Sequence, residues 1–382
     1  MISLSLDVSA VPVDPGGAGY YTMALAQGLS SRPEVALTMV ARRGDSERWR
    51  VLADGSARVV DTVPNRRLER LVYEQSRFPR LLDSLGVEVH HGPHYTMPER
   101  ASLPCVVTIH DCTFFDHPEW HVRSKAVLFR RAIRRASLHA GALVCVSQTT
   151  AERLLASCAV RAPIVVAPHG VDLRRFAPNE PAPGADKATL VACGIPADRA
   201  LVAFVGTFEP RKGVAYLVAA FDQVAASRPD AVLVLGGGNG WGMKETEKAL
   251  ATARHGDRIL RTGYLPDDTV PALLRQATVV AYPALEEGFG LPALEALACG
   301  APLITTEGTA MAEMASGAAQ LVPPGDQVKL AEALAAALDE GKGAPGVQRR
   351  KSHGISVAAE HTWDASVAAH MRAYSIAHTT PK

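Results

Sequence analysis

Short apolar runs alternate with helix-patterned stretches along nearly the whole chain. In the first half ISLSLDV, ALTMVAR, VEVHHG, PCVVTIHD, ALVCVS and PIVVAP mark strands; in the second, ALVAFVG, AVLVLGGG, RILRTGYL, ATVVAYP, PLITT and AAQLVPP do. Many are apolar at consecutive positions, the pattern of strands covered on both faces of a parallel sheet. Between them, stretches such as GVAYLVAAFDQVAAS carry apolar residues at spacings of three and four, which predicts amphipathic helices. The alternation predicts the α/β class. Periodicity lapses in RRFAPNEPAPGADKA, residues 174–188, where Pro and polar residues predict an interdomain linker. The expected division is 1–177, 178–360 and a terminal segment 361–382, the two larger parts each sized for one doubly wound sheet. The tail TWDASVAAHMRAYSIAHT reads as one amphipathic helix after an irregular stretch.

Composition changes this picture little. A chain of 382 residues exceeds one ordinary core. Hydrophobic content of 47% and charged content of 21% are those of a globular protein, and a net charge of +1 gives no general attraction to nucleic acid. The start carries no basic segment followed by a long apolar run, and no stretch approaches the length of a membrane span. The six cysteines are scattered without paired metal spacing, which predicts a reduced, cytoplasmic protein.

Candidate chemistry concentrates in EEGFGLPALEALACGAPLITT, residues 286–306. A strand ends before it, Gly288 and Gly290 predict a tight turn, Pro292 suits a helix's first turn and Gly300 its stop. Glu287 then falls in the loop and Glu295 in the helix's first turn, with the amides of Phe289, Gly290 and Leu291 pointing from the helix start. Taken singly, each acid has an ordinary reading, as a solvated loop acid or a complement to the helix dipole. A second turn, FVGTFEPRKGVAYLVAAF, places Arg211 and Lys212 just before a helix, a strong anion site. Both turns follow strand ends, which in an open parallel sheet line one crevice. A diphosphate on Arg211 and Lys212, with hydroxyls on Glu287 and Glu295, describes a nucleotide-sugar.

Other signals are weaker. GGAGYY at 16–21 and LGGGNGWG at 235–242 lack a complete dinucleotide fingerprint. His110 ends an apolar strand beside Asp111, as a structural His also could. His90, His91 and His94 lack further residues to complete a metal set, and are read as lining a cleft for the acceptor. Arg130, Arg131, Arg134 and Arg135 lie on a basic amphipathic helix, read first as a solvated face and second as a peripheral, salt-sensitive membrane contact.

VGTFEPRKG, RTGYLPDDTV, YPALEEGFGLPALEALACGAPLITT and MAEMASGAAQLVPPGD, in this order, resemble the retaining GT-B glycosyltransferases of family GT4, the group 1 glycosyltransferases. The hallmark of that family is two glutamates separated by seven residues, here Glu287 and Glu295. GGAGYYTMALAQGL, TIHDCTFFDHPEW, LVCVSQTTAERL and APHGVDLRRFAP extend the resemblance through the first half. Ala284 and Gly213 depart from it, standing where Ser and Asn are common.

The resemblance implies a GT-B fold of two Rossmann-like doubly wound domains facing across a cleft, with helix 361–382 packing back on the N-terminal domain. Arg211 and Lys212 would neutralise the donor diphosphate as it leaves, Glu295 would bind the ribose hydroxyls and Glu287 the transferred sugar. The amides of Phe289, Gly290 and Leu291 would complete that cradle, and the peptides of Tyr264 and Leu265 would meet the base. Gly17 would offer its backbone to the diphosphate and His110 would sit by the reacting carbon. No metal or other cofactor is expected, since the two cations stand in for one. The acceptor is expected to be a glycan or lipid-linked, without nucleic acid. IHDCTFFDHPEW and GGAGYY most resemble mannosyltransferases of polysaccharide assembly, hence GDP-mannose as donor. A nucleotide-sugar epimerase of the same fold and a non-catalytic sugar-nucleotide binder are the alternatives.

Overall fold

The computed structural model describes residues 1–379. Two compact units divide the chain: unit 1 is Met1–Gly170 with the segment from Trp363 onward, and unit 2 is Val171–Thr362. The first boundary falls before the Pro-rich stretch because the residues just ahead of it are tied into unit 2. There the Val171 amide donates to the His361 carbonyl at 3.0 Å, and Arg275 Nη1 donates to the Ala177 carbonyl at 3.2 Å.

Unit 1 is built on strands β1 (Ile2–Asp7), β2 (Val35–Arg42), β3 (Arg58–Val63), β4 (Val89–Gly92), β5 (Cys105–Ile109), β6 (Ala142–Cys145) and β7 (Ile164–Val166). They pair in parallel in the order β3-β2-β1-β4-β5-β6-β7. The sequence pattern missed β3, RVVDTV, which sits on the sheet edge and keeps most of its residues partly exposed. The order reverses between β1 and β4, so the loops leaving those strands diverge and open a crevice. The core joins Leu4, Leu6, Val89, Val106 and Val144 of the sheet to Tyr21, Leu25 and Leu29 of the helix Gly17–Ser30. Val367, Ala373 and Tyr374 of the C-terminal helix Trp363–Thr379 complete it. Side chains on Gly28 and Gly141 would overlap Val367 and Ala377 at 2.5 and 2.9 Å, so those glycines let this helix lie close.

Five buried side chains of unit 1 form one neutral chain of hydrogen bonds. His370 Nδ1–H donates to the Ser366 carbonyl at 2.7 Å, which leaves Nε2 to accept from the Tyr21 hydroxyl at 2.8 Å. Tyr21 then accepts from Thr108 Oγ1 at 2.7 Å, and Thr108 accepts from His91 Nε2–H at 2.8 Å. The Tyr374 hydroxyl donates to His91 Nδ1 at 2.8 Å. One backbone carbonyl thereby sets the tautomer of both imidazoles. Burial holds His370 down at about 4 and His91 well below its usual range. His90 is also buried, with Nδ1 3.1 Å from Ser5 Oγ. The expectation that His90 and His91 line a cleft is therefore corrected. Alternation does send them to opposite faces, but both faces of a central parallel strand are covered.

Unit 2 repeats the plan with β8 (Ala200–Val205), β9 (Ala231–Gly236), β10 (Ile259–Gly263), β11 (Val279–Tyr282), β12 (Leu303–Thr306) and β13 (Ala319–Val322). These are parallel in the order β10-β9-β8-β11-β12-β13, with the reversal between β8 and β11. The stretch expected to be irregular before the tail is instead a helix, Pro345–Glu360. Its Gly354 lets it approach the helix Leu291–Ala298, since a Cβ there would lie 2.8 Å from Leu297 Cδ2. No helix among the described residues is long and apolar enough to cross a membrane.

Candidate functional site

In unit 2 the loops after β8 and β11 leave adjacent strands at the point where strand order reverses. The first carries a single turn, Pro210–Lys212, then Gly213 and the helix Val214–Ala225. The second runs from Pro283 to Gly290 and enters the helix Leu291–Ala298. The Leu285 amide donates to the Arg211 carbonyl at 2.7 Å, stitching the loops together. Gly213 has φ of +68°, and a Cβ on it would lie 2.0 Å from the Pro283 carbonyl oxygen. At that position the departure from the family pattern is what the backbone requires. Gly290, with φ of +91°, is similarly fixed, since a Cβ would fall 2.2 Å from Met311 Cγ.

This stitching brings the adjacent cations Arg211 and Lys212 to an acid far away in sequence. Arg211 Nη1 meets Glu287 Oε1 at 2.8 Å, and Lys212 Nζ lies 3.5 Å from Glu287 Oε2. Arg211 Nε also donates to Glu209 Oε2 at 2.8 Å. Burial alone would raise the Glu287 pKa, but the charges of Arg211 and Lys212 and their hydrogen bonds outweigh it and hold it at about 2. The sequence reading missed Glu209, whose place two residues before Arg211 was the available signal. It also treated the cations and Glu287 as separate ligand contacts, whereas they form one balanced cluster of two positive and two negative side chains.

Glu295 behaves differently. No described side chain hydrogen-bonds or ion-pairs with its carboxyl, and burial raises its pKa to about 7 against the opposing charges of Arg175 and Lys212. It lies beyond the first turn of its helix, which corrects its expected place within that turn and removes the ordinary reading of it as a complement to the helix dipole. Tyr264 is 81% exposed, and its ring packs over Gly238, where a Cβ would lie 2.6 Å from ring carbon Cε2. Leu265 Cδ1 would stand 2.9 Å from a Cβ on Gly236. The glycines at and just after the end of β9 thus make room for Tyr264 and Leu265 and are no dinucleotide fingerprint.

In unit 1, Gly17 opens its helix with nothing within 4 Å of where its Cβ would be. His110 follows β5 and donates Nε2–H to the Pro93 carbonyl at 2.7 Å. Burial lowers its pKa, against the Pro93 hydrogen bond and the charge of Asp111, so a neutral ring presents Nδ1 as an acceptor. Its ring stacks on His94 at 5.6 Å and meets Tyr21 edge-on at 5.1 Å. Asp111 is engaged locally, accepting from the Thr113 amide at 3.1 Å and from its hydroxyl at 2.7 Å. Among the described residues no group of three or more His, Cys, Asp or Glu is placed to hold a metal.

Two family models match the chain: Glycosyltransferase Family 4 over residues 15–175, and Glycosyl transferases group 1 over residues 190–352. The chain belongs to the group 1 glycosyltransferases of family GT4. It is 28% identical over 245 residues to the O-antigen chain mannosyltransferase B of Escherichia coli, the match covering 62% of each chain. It is 32% identical over 241 residues to the D-inositol 3-phosphate glycosyltransferase of Mycolicibacterium smegmatis, covering 59% of this chain and 54% of the relative. The chain thus spans between half and two thirds of these curated relatives. Among solved structures, the sucrose-phosphate synthase of Thermosynechococcus elongatus superposes with a TM-score of 0.77 over 98% of both chains at 21% identity. That likeness is one of fold, and the fold of this GT4 member is GT-B.

Proposed function

We infer that the chain is a retaining glycosyltransferase that moves mannose from GDP-mannose to a glycan or lipid-linked acceptor. The observation that carries the reading is the balanced cluster of Arg211, Lys212, Glu287 and Glu209 beside an unpartnered Glu295, at the strand-order reversal of unit 2. Such a cluster suits a leaving diphosphate. Arg211 is held in place by two carboxylates before any ligand arrives, so its donors need little reorganisation as charge develops. Lys212 contributes a compact charge to the same oxygens. The anomeric carbon–oxygen bond breaks, the acceptor hydroxyl oxygen bonds to that carbon from the same face, and its proton passes to the departing phosphate. The two cations stabilise that phosphate and serve where other transferases use a metal.

Glu287, kept ionised by its partners, accepts from hydroxyls of the transferred sugar. Glu295 takes the ribose hydroxyls, whose two donors complete an otherwise unmatched carboxyl. The first amides of the helix Leu291–Ala298, with Phe289 and Gly290 before it, complete the cradle. Tyr264 and Leu265 meet the base. In unit 1, we assign the Gly17 backbone to the diphosphate and His110 to the reacting carbon, where its neutral ring can accept from a sugar hydroxyl through Nδ1. The mannose assignment follows the E. coli relative's name, and a lipid-linked acceptor would bring the basic helix Arg123–His139 to a membrane's inner face.

The test is transfer of labelled mannose from GDP-mannose to an oligosaccharide or lipid-linked acceptor pool, with the product's anomeric configuration read by NMR. Product with the donor's configuration, lost in Arg211→Met, is expected. An inverted product would end the retaining assignment, and label released only as free or epimerised sugar would end the transferase assignment.

A further inference from the structure

Beside the ends of β1 and β4, unit 1 contains a cavity of about 100 Å³ that the chemistry above does not use. Asp7 ends β1, and Arg67, Arg70, Tyr73 and Glu74 come from one face of the helix Arg67–Ser76. Phe129 closes another side. The charges here are unevenly matched. Arg70 is half-buried, yet no described side chain gives its guanidinium a hydrogen bond or an ion pair. Burial first, and then the charge of Arg42, work against its protonated form; Asp7 supports it and Arg67 opposes it. Arg67, one turn earlier, is exposed at the mouth and likewise unbridged. Nearby Arg131 and Arg135 are equally basic in sequence, but Glu99 neutralises them at 3.0 and 3.2 Å.

A half-buried guanidinium without an acceptor gains when a ligand supplies one. The two acids of the cavity do not fill that need. Asp7 Oδ1 accepts from the Ser9 amide at 2.9 Å. Burial raises both carboxyls, Glu74 to about 7, so Glu74 is only partly ionised at neutral pH, and neither acid is placed to hydrogen-bond or ion-pair with Arg70. Glu74 already bonds Thr96 and Gln75 as Asp7 bonds Ser9, but each carboxylate oxygen has a second lone pair for a hydroxyl donor. Guanidinium forks without a partner, carboxyls with spare acceptors and the rings of Tyr73 and Phe129 are complementary to a sugar that carries an anion.

We propose that this cavity seats an acidic saccharide, its carboxylate or phosphate on Arg67 and Arg70 and its hydroxyls on Asp7 and Glu74. As a binding site it stands alone; as the acceptor site of sugar transfer it rests on the transferase reading above.

Calorimetric titration of the full chain with mannose 6-phosphate, glucuronate and neutral mannose tests it, with inorganic phosphate as control and GDP-mannose titrated in parallel. At least one acidic sugar is expected to bind about tenfold or more tightly than mannose; which one does so separates phosphate from carboxylate. Arg70→Met should erase that preference. Arg67→Met should weaken it, and provides a second variant should Arg70→Met fail to fold by circular dichroism. Equal binding of all three sugars, or a preference that survives in both variants, overturns the proposal. So does inorganic phosphate binding as tightly as mannose 6-phosphate, which would leave an anion site without sugar recognition. Binding of an acidic sugar without binding of GDP-mannose would uphold this site and sink the donor reading; the reverse would sink this site alone.

Discussion

In unit 1 five buried polar side chains are neutral and joined end to end, from Tyr374 and His91 through Thr108 and Tyr21 to His370. In unit 2 those beside the strand ends carry full charge and are matched in sign, Arg211 and Lys212 against Glu209 and Glu287. The neutral chain has every donor spoken for by a fixed acceptor and ties the C-terminal helix to the sheet. It has nothing to offer a ligand. The charged cluster is held by ion pairs that an incoming diphosphate can share. Satisfaction by neutral hydrogen bonds marks structure, and satisfaction by countercharge beside an open carboxyl marks a place to exchange partners.

Breaking the charged cluster should have the largest effect. Arg211→Met removes the donors aimed at the leaving group and should cost about 3 kcal/mol of barrier, roughly a hundredfold or more in turnover. A labelled-mannose transfer assay reads it, with circular dichroism showing the fold intact. Turnover within a few-fold of the parent would dissolve the contrast between the regions.

Breaking the neutral chain should cost stability and leave donor chemistry alone. Tyr21→Phe strips His370 Nε2 and Thr108 of a partner and should lose about 1–3 kcal/mol in urea unfolding at pH 7. Acid should do the same without a mutation. The folded chain keeps these imidazoles neutral, with His370 at about 4, while an unfolded His titrates near 6.5. The unfolded chain therefore binds more protons between those values. Stability present above about 6.5 should be lost as pH falls toward 4, and a flat profile over that window would contradict the neutral chain.

Glu295 sharpens the comparison with a smaller effect of opposite sign. Its folded pKa, raised to about 7, means that its contribution to stability is greatest below the ordinary carboxyl pKa and is lost as pH rises through 7. Glu295→Gln should thus melt higher than the parent at pH 8 without ligand. Donor affinity in the parent should rise about tenfold from pH 6 to 8 as the carboxyl ionises to accept hydroxyls. In Glu295→Gln the affinity should be weaker and flat with pH, so a slope equal to the parent's would remove Glu295 from the donor site.

The fold was legible wherever packing wrote itself into the sequence. Strands covered on both faces showed as continuous apolar runs, as β8, β9, β11 and β12 of unit 2 did, and the partly exposed edge strands β10 and β13 were marked with them. β3 escaped because an edge strand pairs on one side only and keeps polar residues such as Asp61. The helix Pro345–Glu360 escaped because QRRKSHG obscures its apolar face and Gly354, needed for close approach to Leu297, reads as a breaker. At the candidate site, Arg211, Lys212, Glu287 and Glu295 were legible from motif and position. Their pairing was not, because Arg211 and Glu287 meet only through the parallel order of β8 and β11. His90 and His91 were misplaced for the same reason: alternation gives the face of a strand but not what covers it.

The most direct measurement is calorimetric titration of the parent chain and Arg211→Met with GDP-mannose at pH 8, where Glu295 is ionised. The charged cluster of unit 2 predicts saturable one-site binding in the parent that falls by at least tenfold in Arg211→Met. Equal binding in both proteins, or none in the parent, would contradict it.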